Sequence, residues 1–121
     1  MRFSRECRLR KSSEFIRLRR AGKWVPGRYF HLQVCEREDS VLPSRLGLAV
    51  SRRIGPAVTR NLVKRRFREI FRAITPEFSG PIDLVVIARK GVDRVPFSEL
   101  KQQFAHALRA WRNESHLRVN G

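Results

Sequence analysis

Acid is scarce in this chain. Eleven Asp and Glu stand against 27 Lys and Arg among 121 residues, a formal net charge of +16. The acids are also scattered. Glu69 lies among arginines and Asp83 opens an apolar segment, so the convergent carboxylates that a metal-dependent nuclease needs are missing. Glu36, Glu38 and Asp39 form the one acidic cluster, without EF-hand spacing or a histidine partner, and read as a solvated hairpin tip. There are two cysteines, Cys7 and Cys35, in no CxxC or zinc-ligand spacing. Isolated thiols of this kind point to a reduced, cytoplasmic protein. No apolar run approaches the length of a membrane span, and the basic N-terminus lacks the apolar core of a signal peptide. No nucleophile elbow, Walker loop or dinucleotide fingerprint occurs. His31, His106 and His116 fall in different segments, none beside an evident orienting partner. The residues therefore describe no catalytic site and no metal site.

Base is abundant. With 41% apolar residues the chain can bury a modest core as a single domain spanning residues 1–121. A charge of +16 costs self-repulsion unless the partner is a polyanion, most often nucleic acid. Only five of the basic residues are lysine. Guanidinium groups pair bidentately with phosphate and stack on bases, which suits structured RNA. A GC-rich genome accounts for the same bias equally well.

The order of elements follows from periodicity. Residues 1–11 read as a basic arm anchored by Phe3 or Leu9. Ser12 or Ser13 is placed to cap a first helix, with Phe15, Leu18 and Ala21 on one face and Gly22 as its stop. Tyr29 to Glu36 alternates as a strand, with Phe30, Leu32 and Val34 opposite Tyr29, His31, Gln33 and Cys35. Arg45 to Ser51 is a second strand whose Gly47 and Ala49 leave one face shallow. That face is either a groove floor beside His31 and Gln33 or a seat for close helix packing. Ile82 to Ala88 is a buried strand, and Ser98 starts a last helix with Leu100, Phe104, Ala107, Leu108 and Trp111 on its core face. Residues 113–121 read as a loose tail. The class is α+β, a single-domain α/β sandwich in the order helix, strands, helix, strand, helix, with helices on one side of a small sheet.

Ser51 to Arg72 dominates this layout. It carries eight positive charges and one negative in 22 residues. A turn, Ser51-Arg52-Arg53-Ile54-Gly55-Pro56, precedes a helix whose Val63, Phe67, Ile70, Phe71 and Ile74 share one face. Arg60, Lys64, Arg68 and Arg72, with Asn61 and Arg65, lie beside that face. Such a stripe is either a solvated face or a dock for a polyanion. The near absence of acids favours the second, since a solubilising helix normally mixes signs.

The same stretch carries a family resemblance. Arg45-x-Gly47-x-x-Val50-Ser51-Arg52-Arg53-x-Gly55-x-Ala57-Val58-x-Arg60-Asn61-x-x-Lys64-Arg65-x-x-Arg68-Glu69 resembles the protein component of bacterial ribonuclease P. Arg8-Leu9-x-Lys11, Phe15 and Ile87-Ala88-Arg89 extend the match over roughly residues 8 to 111. The resemblance implies the family's sandwich, with a left-handed crossover through the arginine-rich helix, against the usual right-handed preference. It implies an RNA-binding subunit that assists a catalytic RNA in removing the 5′ leader of precursor tRNA, with Mg²⁺ held mainly by RNA and substrate. Its partners would be that RNA and precursor tRNA, with no membrane and no small-molecule substrate. Arg52, Arg53, Arg60, Asn61, Lys64, Arg65 and Arg68 would contact the catalytic RNA. Phe15, Arg19, His31 and Gln33 would line the cleft for the single-stranded leader. Leu62 stands where the family has an arginine, so one RNA contact is either missing or supplied by Arg66, and Arg19 lies near a position that is often aromatic. The alternatives are a ribosomal-type protein or RNA chaperone without a role in cleavage, and a stand-alone nuclease.

Overall fold

The computed structural model describes residue 9 and residues 12–36, 43–77 and 81–120. The expected arm, apart from Leu9, and the acids Glu38 and Asp39 lie outside the described residues, as does Cys7. The elements run α1 (Ser12–Ala21), β1 (Lys23–Val25), β2 (Phe30–Glu36), β3 (Arg45–Ala49), a 3₁₀ turn (Arg52–Ile54), α2 (Ala57–Ile74), β4 (Ile82–Ala88), a second 3₁₀ turn (Val92–Arg94) and α3 (Phe97–Asn120). The α+β class and the element order are those read from the sequence, with β1 as the additional short strand.

The sheet order is β1-β2-β4-β3. β2 and β3 are therefore not neighbours, and the segment between them is no hairpin. β4 lies between them, antiparallel to β2 and parallel to β3. The reason is in its side chains. Ile82, Leu84, Val86 and Ala88 are buried on one face, and Asp83 and Val85 on the other. A strand apolar on both faces takes the centre of a sheet, where both are covered. β3, α2 and β4 thus form a βαβ unit with its two strands adjacent.

Helices cover both faces, contrary to the one-sided arrangement expected. On the first face α2 lays down Val63, Phe67, Ile70, Phe71 and Ile74, and α3 lays down Leu100, Phe104, Leu108 and Trp111. Phe30, Phe67 and Phe104 meet there, with ring centroids 5.2, 6.1 and 6.4 Å apart. On the second face Leu9, Leu18, Cys35 and Val85 form a smaller cluster, with Phe15 and Ile87 against it. Ala21, expected on the packed face of α1, is exposed.

β2 begins at Phe30 instead of Tyr29 and β3 ends at Ala49 instead of Ser51, and three helix boundaries also differ from expectation. α1 already includes Ser12, so Ser13 lies inside it. α3 begins at Phe97, and Pro96 supplies the carbonyl that accepts from Leu100 N–H, so Ser98 sits inside the first turn. The segment from Asn113, expected to be a loose tail, continues α3 to Asn120. No glycine or proline interrupts residues 97–120, and Lys23 of β1 forms an ion pair with Glu114.

α1 is held down by an acid that is the one buried carboxylate among the described residues. Asp83 is fully buried. Arg45 grips it bidentately, Nε to Oδ1 at 2.8 Å and Nη2 to Oδ2 at 2.7 Å. Arg17 of α1 reaches the same Oδ2 and also donates to Cys35 Sγ at 3.5 Å. A carboxylate shared by two guanidinium groups is a charge-assisted contact with fixed geometry. It ties α1 to β3 and β4 at once.

Candidate nucleic-acid interface

Strand register sorts the second face of the sheet into three rows. Cys35, Asp83 and Arg45 form the first; Trp24, Gln33, Val85 and Gly47 the second; His31, Ile87 and Ala49 the third. α1 lies over the first row through Arg17 and over the second through Phe15 and its C-terminal end. The Phe15 ring packs on Gly47 so closely that a Cβ there would stand 2.9 Å from the ring. A Cβ on Gly22 would similarly meet Gln33 at 3.3 Å. Gly47 is therefore a helix seat. The shallow groove floor lies one row further on, where Ala49 is exposed and His31 and Ile87 are half-buried.

The four residues expected in the cleft all lie on the α1 side of the sheet, His31 in the open row and Gln33 and Phe15 in the row beside it. Phe15 and Arg19, four apart on α1, share one flank of the helix, and Arg17 holds the opposite flank to Asp83. Phe15 is half-buried and Arg19 is exposed. Gln33 lies beneath the end of α1, and His31 lies in the open row. The His31 ring is fixed by its neighbours. Gly27 N–H donates to Nδ1 at 3.2 Å, and Arg89 Nη1 donates to Gly27 O at 2.9 Å. With Nδ1 as acceptor, the neutral ring carries its proton on Nε2.

Burial lowers the His31 pKa from its ordinary 6.5, and the positive charge of Arg89 lowers it further. A histidine with a depressed folded-state pKa adds stability above its unfolded value, and that stability is lost as pH falls through the lower folded value. In an NMR titration the His31 midpoint falls below 6.5, and Arg89→Ala moves it part of the way back. It does not return fully, because burial is the larger cause. A midpoint unmoved by Arg89→Ala would remove the arginine from this account.

The basic stripe lies on the other side of the sheet. α2 buries its apolar face against the core and turns Asn61, Lys64, Arg65 and Arg68 to one flank, with Arg65 and Asn61 exposed and Lys64 and Arg68 half-buried. Arg60 donates from Nε to Gly55 O at 3.2 Å, which fastens the first turn of the helix to the preceding loop. Gly55 has φ 154°, and a side chain there would press on Thr59 at 3.2 Å. Arg52 and Arg53 stand exposed in the 3₁₀ turn. That turn follows Ala49 by three residues, so the open row on one side and the stripe on the other meet at residues 51–53.

Leu62 and Arg66 belong to the opposite flank of α2. Arg66 Nη1 donates to Asp93 O at 3.2 Å, which ties this flank to the second 3₁₀ turn. Arg66 is thus a poor substitute for an arginine at position 62, because one arm of its guanidinium is already engaged in the fold. Exposed apolar side chains were not foreseen from the sequence. Val58 is 81% exposed on the outer side of α2, and Trp24 is 49% exposed on β1. Trp24 lies in a strand of three residues, too short for alternation to register, although an aromatic between Lys23 and Val25 was a usable signal.

The match to known proteins decides the family. The Ribonuclease P family model covers residues 3–112. The chain belongs to the ribonuclease P protein family. The ribonuclease P protein component of Streptococcus mutans is 35% identical over 102 residues, 84% of this chain and 83% of that protein. That of Desulfatibacillum aliphaticivorans is 41% identical over 88 residues, 73% of each chain. Among solved structures, the Staphylococcus aureus ribonuclease P protein superposes with a TM-score of 0.74 at 30% identity, covering 86% of this chain and 94% of that one. The Thermotoga maritima ribonuclease P protein gives 0.71 at 33% identity, covering 82% and 92%. The role is that of the protein subunit of ribonuclease P, an endoribonuclease of tRNA processing, with a partner RNA and a tRNA substrate. Among the described residues no helix is long and apolar enough to cross a membrane.

The described side chains of this ribonuclease P protein bring together no donor set that fits Mg²⁺. Among the described residues no three His, Cys, Asp or Glu side chains converge. The one buried carboxylate, Asp83, is closed off by two guanidinium groups, which repel a cation.

Proposed function

We propose that this subunit uses its two surfaces for two RNAs. The α2 stripe with Arg52 and Arg53 grips the catalytic RNA, and the open row beneath α1 takes the single-stranded 5′ leader of precursor tRNA. Bond cleavage belongs to the RNA subunit, and Mg²⁺ is held by RNA and substrate phosphates. The observation that supports this reading is the meeting of both surfaces at the Ser51–Arg53 turn. A leader strand leaving the tRNA in the RNA's grip can reach the sheet there without crossing the molecule. Arg60, Asn61, Lys64, Arg65 and Arg68 act through phosphate contacts, which position the protein without reading sequence. The subunit's contribution is to bind and orient, and to lower the Mg²⁺ needed by supplying fixed positive charge near the substrate.

Leader cleavage by the partner RNA, measured with and without protein across Mg²⁺ concentrations, tests this. The protein shifts activity to lower Mg²⁺ and cleaves nothing alone. Cleavage by purified protein without RNA would instead identify a stand-alone nuclease, and a failure to stimulate the RNA would identify a general RNA binder. Arg60→Ala, Lys64→Ala and Arg68→Ala each lower the salt slope of RNA binding by roughly 0.7–0.9 per lost phosphate contact. Unchanged slopes in all three would return the stripe to a solvated face.

A further inference from the structure

Trp24 is a large apolar side chain left in water where packing does not require it to be. It is 49% exposed, whereas Leu18 on the same side of the sheet is fully buried. Its register partner is Gln33, so it projects on the α1 side of the sheet, level with the leader row's edge. Its flanking residues point the other way, Lys23 to Glu114 and Val25 to the main core. One face of the indole rests on His31, with centroids 4.7 Å apart and planes tilted by 38°. His31 is itself held from behind by Gly27, which Arg89 holds in turn. Gly27 has no room for a side chain, since a Cβ there would stand 2.3 Å from Phe30 O. The indole is thus braced on one side and open on the other.

We infer that the free face of Trp24 stacks a nucleobase of the single-stranded leader, making Trp24–His31 a base platform at the β1 end of the cleft. The inference rests on the reading that the leader crosses this face. Three features support it. A flat aromatic in a basic groove accepts any base, because every base has a π-face. Arg19 on the overhanging flank of α1 and Arg89 beside His31 supply the charge that tracks a phosphate backbone. The residue opposite Trp24 is Gln33, which offers amide hydrogen bonds and no ring, so the aromatic surface at the β1 end of this row comes from Trp24, while Phe15 covers Gly47 at the β3 end.

The test uses the holoenzyme reconstituted with its RNA subunit. Affinity is measured for precursor tRNA carrying a leader and for mature tRNA without one. Trp24→Ala lowers the precursor-to-mature affinity ratio about tenfold, within the range of one lost base–aromatic stack. Trp24→Phe retains most of the ratio, whereas Trp24→Leu, which keeps apolar bulk, loses it as alanine does. A leader with a single abasic site, moved one position at a time, shows one position at which wild type and Trp24→Ala become equal. A leucine variant equal to wild type, or no such position, overturns the stacking role. Thermal melting of each variant checks the fold. Arg19→Ala separates this inference from the reading beneath it. If Arg19→Ala lowers the ratio and Trp24→Ala does not, the leader crosses the face without using the platform. If neither changes the ratio, the leader does not lie on this face at all, and the platform falls with it.

Discussion

Asp83→Ala costs the fold about 3–5 kcal/mol in denaturant unfolding, the usual penalty for removing one partner of a buried ion pair. The loss is large because two positive charges depend on this acid. Arg45 is largely buried beside it, and the two hydrogen bonds to Asp83 fix its guanidinium group. Arg17 is 41% exposed and recovers part of its loss in water. The effect on stability is therefore carried by Arg45, and the effect on the cleft by Arg17. Hydrogen exchange distinguishes the two. Amides of α1 lose protection in Asp83→Ala well before those of α2, because α1 has only a small cluster, Leu18 and Phe15 on Leu9, Val85 and Ile87, to hold it otherwise. In a double-mutant cycle Arg17 and Asp83 couple, while Arg17 and Phe67, on opposite sides of the sheet, do not. A loss under about 0.5 kcal/mol would class the site with ordinary surface pairs and leave α1 without its tether.

Phe67→Ala is expected to cost about 3–5 kcal/mol as well, by a different mechanism. Phe67 is fully buried and meets Phe30 edge-on and Phe104 at a tilt. Its removal leaves a cavity where α2, α3 and β2 meet, and backbone on three sides limits collapse. The basic flank of α2 is untouched, so RNA binding measured where the variant is folded keeps its salt slope. A changed slope would mean that the apolar face and the stripe are not separable. A loss below about 1.5 kcal/mol would mean that the cluster repacks.

The contrast between these two residues marks what could be read beforehand. Phe67 was legible from spacing alone, since Val63, Phe67, Ile70 and Ile74 repeat within one helix and each helical turn reports on the next. Asp83 was not. Its partners are 66 and 38 residues away in sequence, and only sheet register and the path of α1 bring them to it. A lone acid at the start of an apolar strand carries no periodic signal. Gly47 shows an intermediate case. The sequence left it as either groove floor or helix seat, and the Phe15 ring decides for the seat. The floor then moves one row to Ala49, His31 and Ile87.

The sequence by itself determined the charge of the chain and the basic helix that carries most of it. Charge excess, the arginine stripe and the Arg52-Arg53 turn are local, and local patterns survive without knowledge of the fold. The family motif is local too, and it implied the role in tRNA processing. Tertiary structure decided which strand is central, that α1 covers part of the second face, and that the open row leads into the basic turn at residues 51–53. It also brought Trp24 onto His31. Each of these depends on pairings between distant segments. Such pairings are chosen by how apolar area is shared among all the elements together, and no single stretch of the chain carries that information.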